Sequence, residues 1–174
     1  MLFFNKSLRS IYWEYKWFKI KGSFKKPLVF KVFFESIPEA QQVYKNEILK
    51  MFRYAIANQD GFRLEFCIGA AFRDGIDAAY KPFVKEVILE KWHNQHEDLV
   101  DIISFHLHDD IFTDALYEIA VNPEYRKFDD ELESTLRKCV HALKAINTIN
   151  SNTAIERLVK SGNENVIIVL KMYE

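Results

Sequence analysis

The sequence predicts an all-α fold built from short, paired helices, and three observations lead to that prediction. Glycine and proline together make up nine of the 174 residues, too few for the frequent turns of a β-sandwich or barrel. Apolar residues recur every three to four positions along most of the chain, which is the period of an amphipathic helix. Helices in the second half also resemble one another at a spacing of about 40 residues. The length predicts a single domain over residues 1–174.

The first predicted element is a helix over residues 7–21, which begins at Ser7 and ends before Gly22. Its apolar face consists of Leu8, Ile11, Tyr12, Tyr15 and Phe18. Its other face is basic and aromatic, with Trp13, Lys16, Trp17, Lys19 and Ile20. We expect the aromatic residues to pack on the domain and the lysines to lie in water; the alternative is a helix that lies on a membrane.

Residues 28–34 form an apolar run that is either a strand or a buried helix segment. Residues 1–35 are therefore predicted to form an aromatic-rich cap on the helical repeats of residues 36–174, because the ends of a repeat array need covering.

Helix signals become cleaner from residue 36 onwards. Ser36 and Glu39 have the spacing of a capping box, with Pro38 in the first turn. Between the predicted helices lie a polar loop at 123–130 and a short turn at 148–152. The predicted helices cover about 36–58, 62–73, 77–92, 96–107, 110–121, 131–147, 153–160 and 164–173.

The later helices repeat. At an offset of 40 residues Leu99 aligns with Cys139, and at an offset of 39 Ala115 aligns with Ala154. A period of about 40 residues with two helices per unit is typical of HEAT and armadillo repeats. The predicted architecture is therefore a HEAT/armadillo-like right-handed α-solenoid, in which stacking buries the face that each pair cannot bury alone.

Several stretches resemble a family of small bacterial HEAT-repeat proteins. Residues 92–100 match its W-H-x-x-H-E-D-x-V signature, 114–117 continue the match, and 137–146 match R-K-C-x-x-A-L-x-x-I. The resemblance covers roughly residues 76–172. Members of this family often resemble immunity proteins encoded beside bacterial toxins, so the resemblance implies a HEAT-like fold and a toxin-neutralising role.

Charge is unevenly distributed along the chain. Residues 1–31 hold eight basic residues and one acidic residue, a net charge of +7. Residues 86–133 hold fourteen acidic and three basic residues, a net charge of −11. An acidic field of this size attracts basic partners and repels nucleic acid. We therefore expect this segment to cover the basic surface of a cognate toxin, most simply a nuclease, through Asp109, Asp110, Asp114, Tyr117, Glu118 and Tyr125.

No nucleophile elbow, P-loop or dinucleotide-binding motif is present, so neither an enzyme nor a cofactor is predicted. His93, His96, Glu97 and Asp98 are the best candidates for metal ligands, but they lack the HExxH spacing. The alternative is a structural role at a repeat junction, with the two carboxylates opposing a helix dipole.

Cys67 and Cys139 lie in apolar surroundings without metal-like spacing, which predicts two buried, reduced thiols and a cytoplasmic location. We expect neither a secretory signal in MLFFNKSLRS nor a membrane span. Two alternative functions stay open: a generic HEAT-repeat adaptor, and a nucleic-acid or membrane binder that acts through the basic N-terminal segment.

Overall fold

The computed structural model describes residues 8–21, 42–129 and 131–174. These residues form α-helices, short 3-10 helices and turns, with no strand among them, so the all-α prediction is confirmed. The ambiguous run 28–34 and the Ser36–Glu39 capping box lie outside the described residues. The α-helices of the described part are α1 Leu8–Ile20, α2 Gln42–Ala57, α3 Gly61–Asp74, α4 Lys81–Val87, α5 His96–His106, α6 Thr113–Val121, α7 Ser134–Ile146, α8 Ile149–Lys160 and α9 Glu164–Leu170.

The chain divides into two compact units, Met1–Ile76 and Asp77–Glu174. The solenoid architecture, its handedness and the single-domain organisation stay predictions.

The N-terminal unit is built around aromatic side chains. Tyr12 and Tyr15 of α1 are buried against Phe66 of α3, with ring centroids 5.4 Å apart in both pairs. Asp60 caps α3 by accepting a hydrogen bond from the Arg63 amide. The predicted burial of Leu8, Ile11, Tyr12 and Tyr15 is therefore confirmed.

The opposite face of α1 differs from expectation. Trp13 and Trp17 are 53 % and 60 % exposed, so the prediction that the aromatic residues of this face pack on the domain is wrong for both. Lys16 lies 5.5 Å from the Trp13 ring centroid and Lys21 lies 4.7 Å from that of Trp17. The tyrosines take the buried positions because a helix of this length presents one face to its unit.

The C-terminal unit is organised around α7, which contacts α5, α6, α8 and α9. Its inward face is buried along its whole length and includes Leu136, Cys139, Val140 and Leu143. Asn147 ends α7 in the left-handed conformation, with φ 51°, a conformation that asparagine tolerates better than most residues. Cys67 and Cys139 are both buried free thiols, as predicted, and burial raises the pKa of each.

The largest differences from the predicted boundaries are at α4 and α8, while α6, α7 and α9 differ by about one turn at one end. The predicted helix over 77–92 is a 3-10 turn at Ala78–Tyr80 followed by α4, which ends at Val87. It ends early because the carbonyls of Val87 and Glu90 form hydrogen bonds with the rings of His93 and His96.

The predicted turn over 148–152 is wrong, because α8 already begins at Ile149. Thr148 and Ser151 form a capping box in which each side chain accepts a hydrogen bond from the other residue's backbone amide.

Candidate protein-binding surfaces

The solvent-facing side of α6 combines acidic and apolar residues. Ala115, Leu116 and Ile119 are buried, so the opposite side of the helix faces solvent. Four positions follow the helical spacing there, and we call them the α6 stripe: Ile111, Asp114, Glu118 and Val121. Ile111 and Val121, at its two ends, are 45 % and 42 % exposed. The stripe therefore places two carboxylates between two exposed aliphatic side chains.

The two carboxylates of the stripe are differently engaged. Asp114 is exposed and has no hydrogen bond or ion pair to any described residue. Glu118 is half-buried and accepts a hydrogen bond from the Asn122 amide group at 3.0 Å. Neither forms a described salt bridge to a basic residue of the chain, so both charges stay available to a partner.

Asp109 and Asp110 bond to neighbouring elements within the C-terminal unit. Asp109 pairs with Lys81 at 2.6 Å and accepts from the Ile111 amide. Asp110 accepts hydrogen bonds from Thr113 at 3.1 Å, from Asn150 at 2.5 Å and from the Thr148 hydroxyl. Lys81 lowers the pKa of Asp109, and the bonds from Thr148 and Asn150 lower that of Asp110. Asp110 thus links the start of α6 to the start of α8.

Three of the six predicted contact residues come together in one cleft of about 370 Å³: Asp110, Asp114 and Tyr117. Arg157 of α8 lies 3.9 Å from the Tyr117 ring centroid and lines the same cleft. Tyr125 is not among its lining residues; its ring lies 5.0 Å from that of His96, and Lys91 lies 5.7 Å from its centroid. The predicted set therefore occupies two places on the C-terminal unit, and its role in partner binding stays a prediction.

The rings of His93 and His96 form hydrogen bonds with backbone groups. His93 Nε2 lies 2.9 Å from the Val87 carbonyl, and His93 Nδ1 accepts from the Gln95 amide at 3.1 Å. His96 Nε2 lies 3.0 Å from the Glu90 carbonyl, and the two rings are 4.7 Å apart. Burial lowers the pKa of both, that of His96 to about 4 with a further contribution from His93. These contacts give both rings a structural role in joining α4 to α5.

His93, His96, Glu97 and Asp98 do not form a metal-binding arrangement in the described residues. Glu97 instead pairs with Lys138 at 2.9 Å. Over the described ranges, three or more His, Cys, Asp or Glu side chains never gather closely enough to hold a metal ion.

A groove of about 600 Å³ between α5 and α7 was missed by sequence reasoning. Its rim carries Phe105, which is 68 % exposed, together with the exposed Leu132 and Tyr173. Arg137 lines the groove and has no ion pair with a described residue. One sequence signal was available: Phe105 interrupts the polar side of an otherwise amphipathic helix.

Comparisons with protein-family models, curated proteins and solved structures found no match for this chain. The HEAT-repeat resemblance therefore stays a prediction. Within the described ranges, every helix is too short or too polar to cross a bilayer.

Proposed function

We propose that the C-terminal unit binds another protein through the α6 stripe, and that the protein neutralises a cognate bacterial toxin as its immunity protein. The observation that carries the proposal is the stripe itself, in which unneutralised carboxylates lie between exposed aliphatic side chains. A nuclease toxin suits this surface, because an enzyme that holds RNA or DNA needs a basic face for the phosphates.

In this proposal the acidic residues and the apolar residues affect different steps of binding. The net charge of −11 over residues 86–133 steers a basic partner and raises the association rate. Ile111 and Val121 then supply apolar contact that slows dissociation, while Asp114 and Glu118 fix the register of the complex. A helix packed on its buried side needs no ordering before it binds, which lowers the entropic cost of association.

The test uses the toxin encoded by the adjacent reading frame. Asp114→Lys with Glu118→Lys reverses the stripe, and Glu86→Lys with Glu90→Lys makes the same change in charge at two exposed carboxylates that have no described partner. We expect the stripe variant to weaken the complex at least a hundredfold, about 2.7 kcal/mol, and to lose protection of growth. The Glu86/Glu90 variant should slow association by less than tenfold and should still protect.

Equal losses in both variants would show that only net charge matters and would exclude a docking site on α6. If the wild-type protein neither protects growth nor forms a complex with that toxin, the immunity function is excluded.

The α5–α7 groove favours a second candidate, a HEAT-repeat adaptor that holds a segment of a different protein. Exposed aromatic residues beside an arginine are typical of binding hot spots. Phe105→Ser separates the two candidates, because it removes the groove's most exposed ring and leaves the α6 stripe unchanged. A complex that depends on Phe105 and not on Asp114 would favour the adaptor.

A further inference from the structure

The N-terminal unit contains a basic, aromatic cleft that the immunity proposal does not use. The cleft has a volume of about 520 Å³ and is lined by residues of α1, α2 and α3. This volume lies within the range of about 300–1,000 Å³ that is usual for small-molecule sites. Three of its lining residues are cations, Arg9, Lys50 and Arg63, and none of the described lining residues is acidic.

Arg63 is held in place by two tyrosines. Its guanidinium carbon lies 3.9 Å from the Tyr54 ring centroid and 4.8 Å from that of Tyr12. Asp60 Oδ2 is 3.7 Å from Arg63 Nε, which makes no hydrogen bond to a described residue. The guanidinium is thus oriented by the two tyrosines that flank it.

The other two cations are not neutralised. Arg9 and Lys50 are exposed and have no ion pair or hydrogen bond with any part of the chain that the structure describes. Asp60 Oδ2 is 3.7 Å from Arg63, whereas the described residues that line the cleft include three cations and no carboxylate. A lining of this charge attracts an anion.

Tyr12 provides an independent indication of a ligand. Its side chain is 1 % exposed and lines the cleft, and its hydroxyl lies beside the Arg63 guanidinium without a hydrogen bond of good geometry to a described residue. Buried hydroxyl groups are nearly always satisfied, because an unpaired one loses its bonds to water without replacement. An anion oxygen in the cleft would accept from this hydroxyl.

The aromatic walls define the rest of the ligand. Trp13 and Tyr54 line the cleft, and more than half of each side chain is exposed. Lys16 lies near the Trp13 ring and Arg63 lies on the Tyr54 ring. Aromatic faces beside a basic groove bind nucleobases by stacking.

The geometry points to a binding site for a nucleoside monophosphate group, in which a sugar joins a phosphate monoester to a nucleobase, between α1, α2 and α3 of the N-terminal unit. Arg9, Lys50 and Arg63 contact the phosphate, the Tyr12 hydroxyl donates to one of its oxygens, and Trp13 or Tyr54 stacks on the base. Such a group occurs on a free mononucleotide and at the 5′ end of a nucleic-acid strand.

The experiment measures binding by isothermal titration calorimetry with the full chain. AMP, adenosine, inorganic phosphate and a 5′-phosphorylated oligonucleotide are the probes, and vesicles of anionic phospholipid serve as a further arm. Arg9→Gln with Lys50→Gln removes two cations of the cleft, and Lys21→Gln with Lys160→Gln removes two cations that do not line it. Tyr12→Phe removes only the unpaired hydroxyl.

We expect saturable binding of AMP that is at least tenfold tighter than that of adenosine or inorganic phosphate. Arg9→Gln/Lys50→Gln should weaken it at least tenfold, Tyr12→Phe three- to tenfold, and Lys21→Gln/Lys160→Gln less than twofold. Tyr12→Phe keeps the buried ring against Phe66, and urea unfolding of this variant checks that a loss of binding does not come from a loss of folding. Tighter binding of AMP or of the oligonucleotide identifies which source of the phosphate the site prefers.

Three results would overturn the proposal. The first is no saturable binding of AMP or oligonucleotide at millimolar concentration. The second is equal losses in the two double-glutamine variants, which would indicate a diffuse basic surface. The third is binding to anionic vesicles alone, which would make α1 a membrane-surface helix.

Discussion

The two units of this chain use charged and aromatic residues in opposite ways. Met1–Ile76 has a net charge of +6 and Asp77–Glu174 has −7, which nearly cancel in the total of −1. The N-terminal unit packs aromatic rings in its core and leaves Arg9 and Lys50 without described partners. The C-terminal unit places carboxylates at helix junctions, as Asp110 and Asp129 show. The net charge of the whole chain therefore does not indicate the charge on the surface of either unit.

The difference shows how an acidic segment should be interpreted. Of the carboxylates between residues 86 and 129, several serve the fold: Asp101 bonds Lys138, Glu124 bonds Lys91, and Asp109 bonds Lys81. Only those without a cation inside the chain, such as Asp114, contribute their full charge to a partner. The docking surface is therefore smaller than the charge count implies, and its position depends on the helix face.

The largest effect that separates the two units should come from the aromatic core of the first. Phe66 is fully buried between Tyr12 and Tyr15. Phe66→Ala should lower the free energy of unfolding by about 3–5 kcal/mol, because it removes apolar burial and leaves a cavity. Urea unfolding followed by circular dichroism measures this, with the exposed Ile20→Ala as a control that should change it by less than about 0.5 kcal/mol. A loss below about 1 kcal/mol would contradict an aromatic core.

A smaller loss should follow when a carboxylate of the second unit is removed. Asp129 accepts from the Thr135 amide at 3.1 Å and lies 3.8 Å from the Arg126 guanidinium, whose side chain is 11 % exposed. Glu133 occupies the N-cap position of α7, but it has φ 48° and makes no side-chain cap hydrogen bond. Asp129 therefore satisfies a free amide at the start of the helix instead. Asp129→Ala should cost about 2 kcal/mol, since it uncaps the helix and removes one of the two carboxylates that pair with the largely covered Arg126 side chain.

The matched control for Asp129 is Asp114→Ala, which removes an exposed carboxylate without a described partner. Urea midpoints of the two variants should differ clearly, with Asp114→Ala close to the wild-type protein. Similar midpoints would mean that acidic residues have no special structural role in this unit.

Much of the helical content was predictable from local patterns. The 3.6-residue period located α1, α3 and α5 to α9, because a stripe of apolar residues is a local property of the sequence. The early end of α4 was not predictable, since it depends on His93 and His96 reaching back to carbonyls six residues earlier. The start of α8 was missed because Thr148 and Ser151 also have the composition of a turn.

The candidate sites were less predictable than the helices. Asp109, Asp110 and Asp114 look alike in the sequence, yet two bond to described residues of the chain and the third bonds to none of them. That difference depends on Lys81, Thr148 and Asn150, which are 28 to 40 residues away. The N-terminal cleft could not be predicted from the sequence either, because its lining residues come from three separate helices.

The smallest expected effect is a dependence of stability on pH that comes from the second unit. Burial lowers the pKa of His96 to about 4, below the value of about 6.5 for an unfolded histidine. Between these values the unfolded state binds more protons, so stability should fall as the pH decreases from about 6.5 towards 4. The loss between pH 7.5 and 5.0 should be about 1–2 kcal/mol, because the site is partly solvated and the range ends above the folded pKa, and urea midpoints at pH 7.5, 6.0 and 5.0 measure it.

His96→Gln tests the origin of that slope, because a glutamine amide can donate to the Glu90 carbonyl without titrating. The variant should be less stable than the wild-type protein at pH 7.5, and its stability should change less between pH 6.5 and 5. The control is His108→Gln at an exposed histidine, which should keep the wild-type slope. His93 lies 4.7 Å away and its pKa is also lowered by burial, so part of the slope should persist in His96→Gln. Identical slopes in all three proteins would show that His96 does not titrate below its unfolded value, and would remove the buried imidazole pair as the source of acid sensitivity.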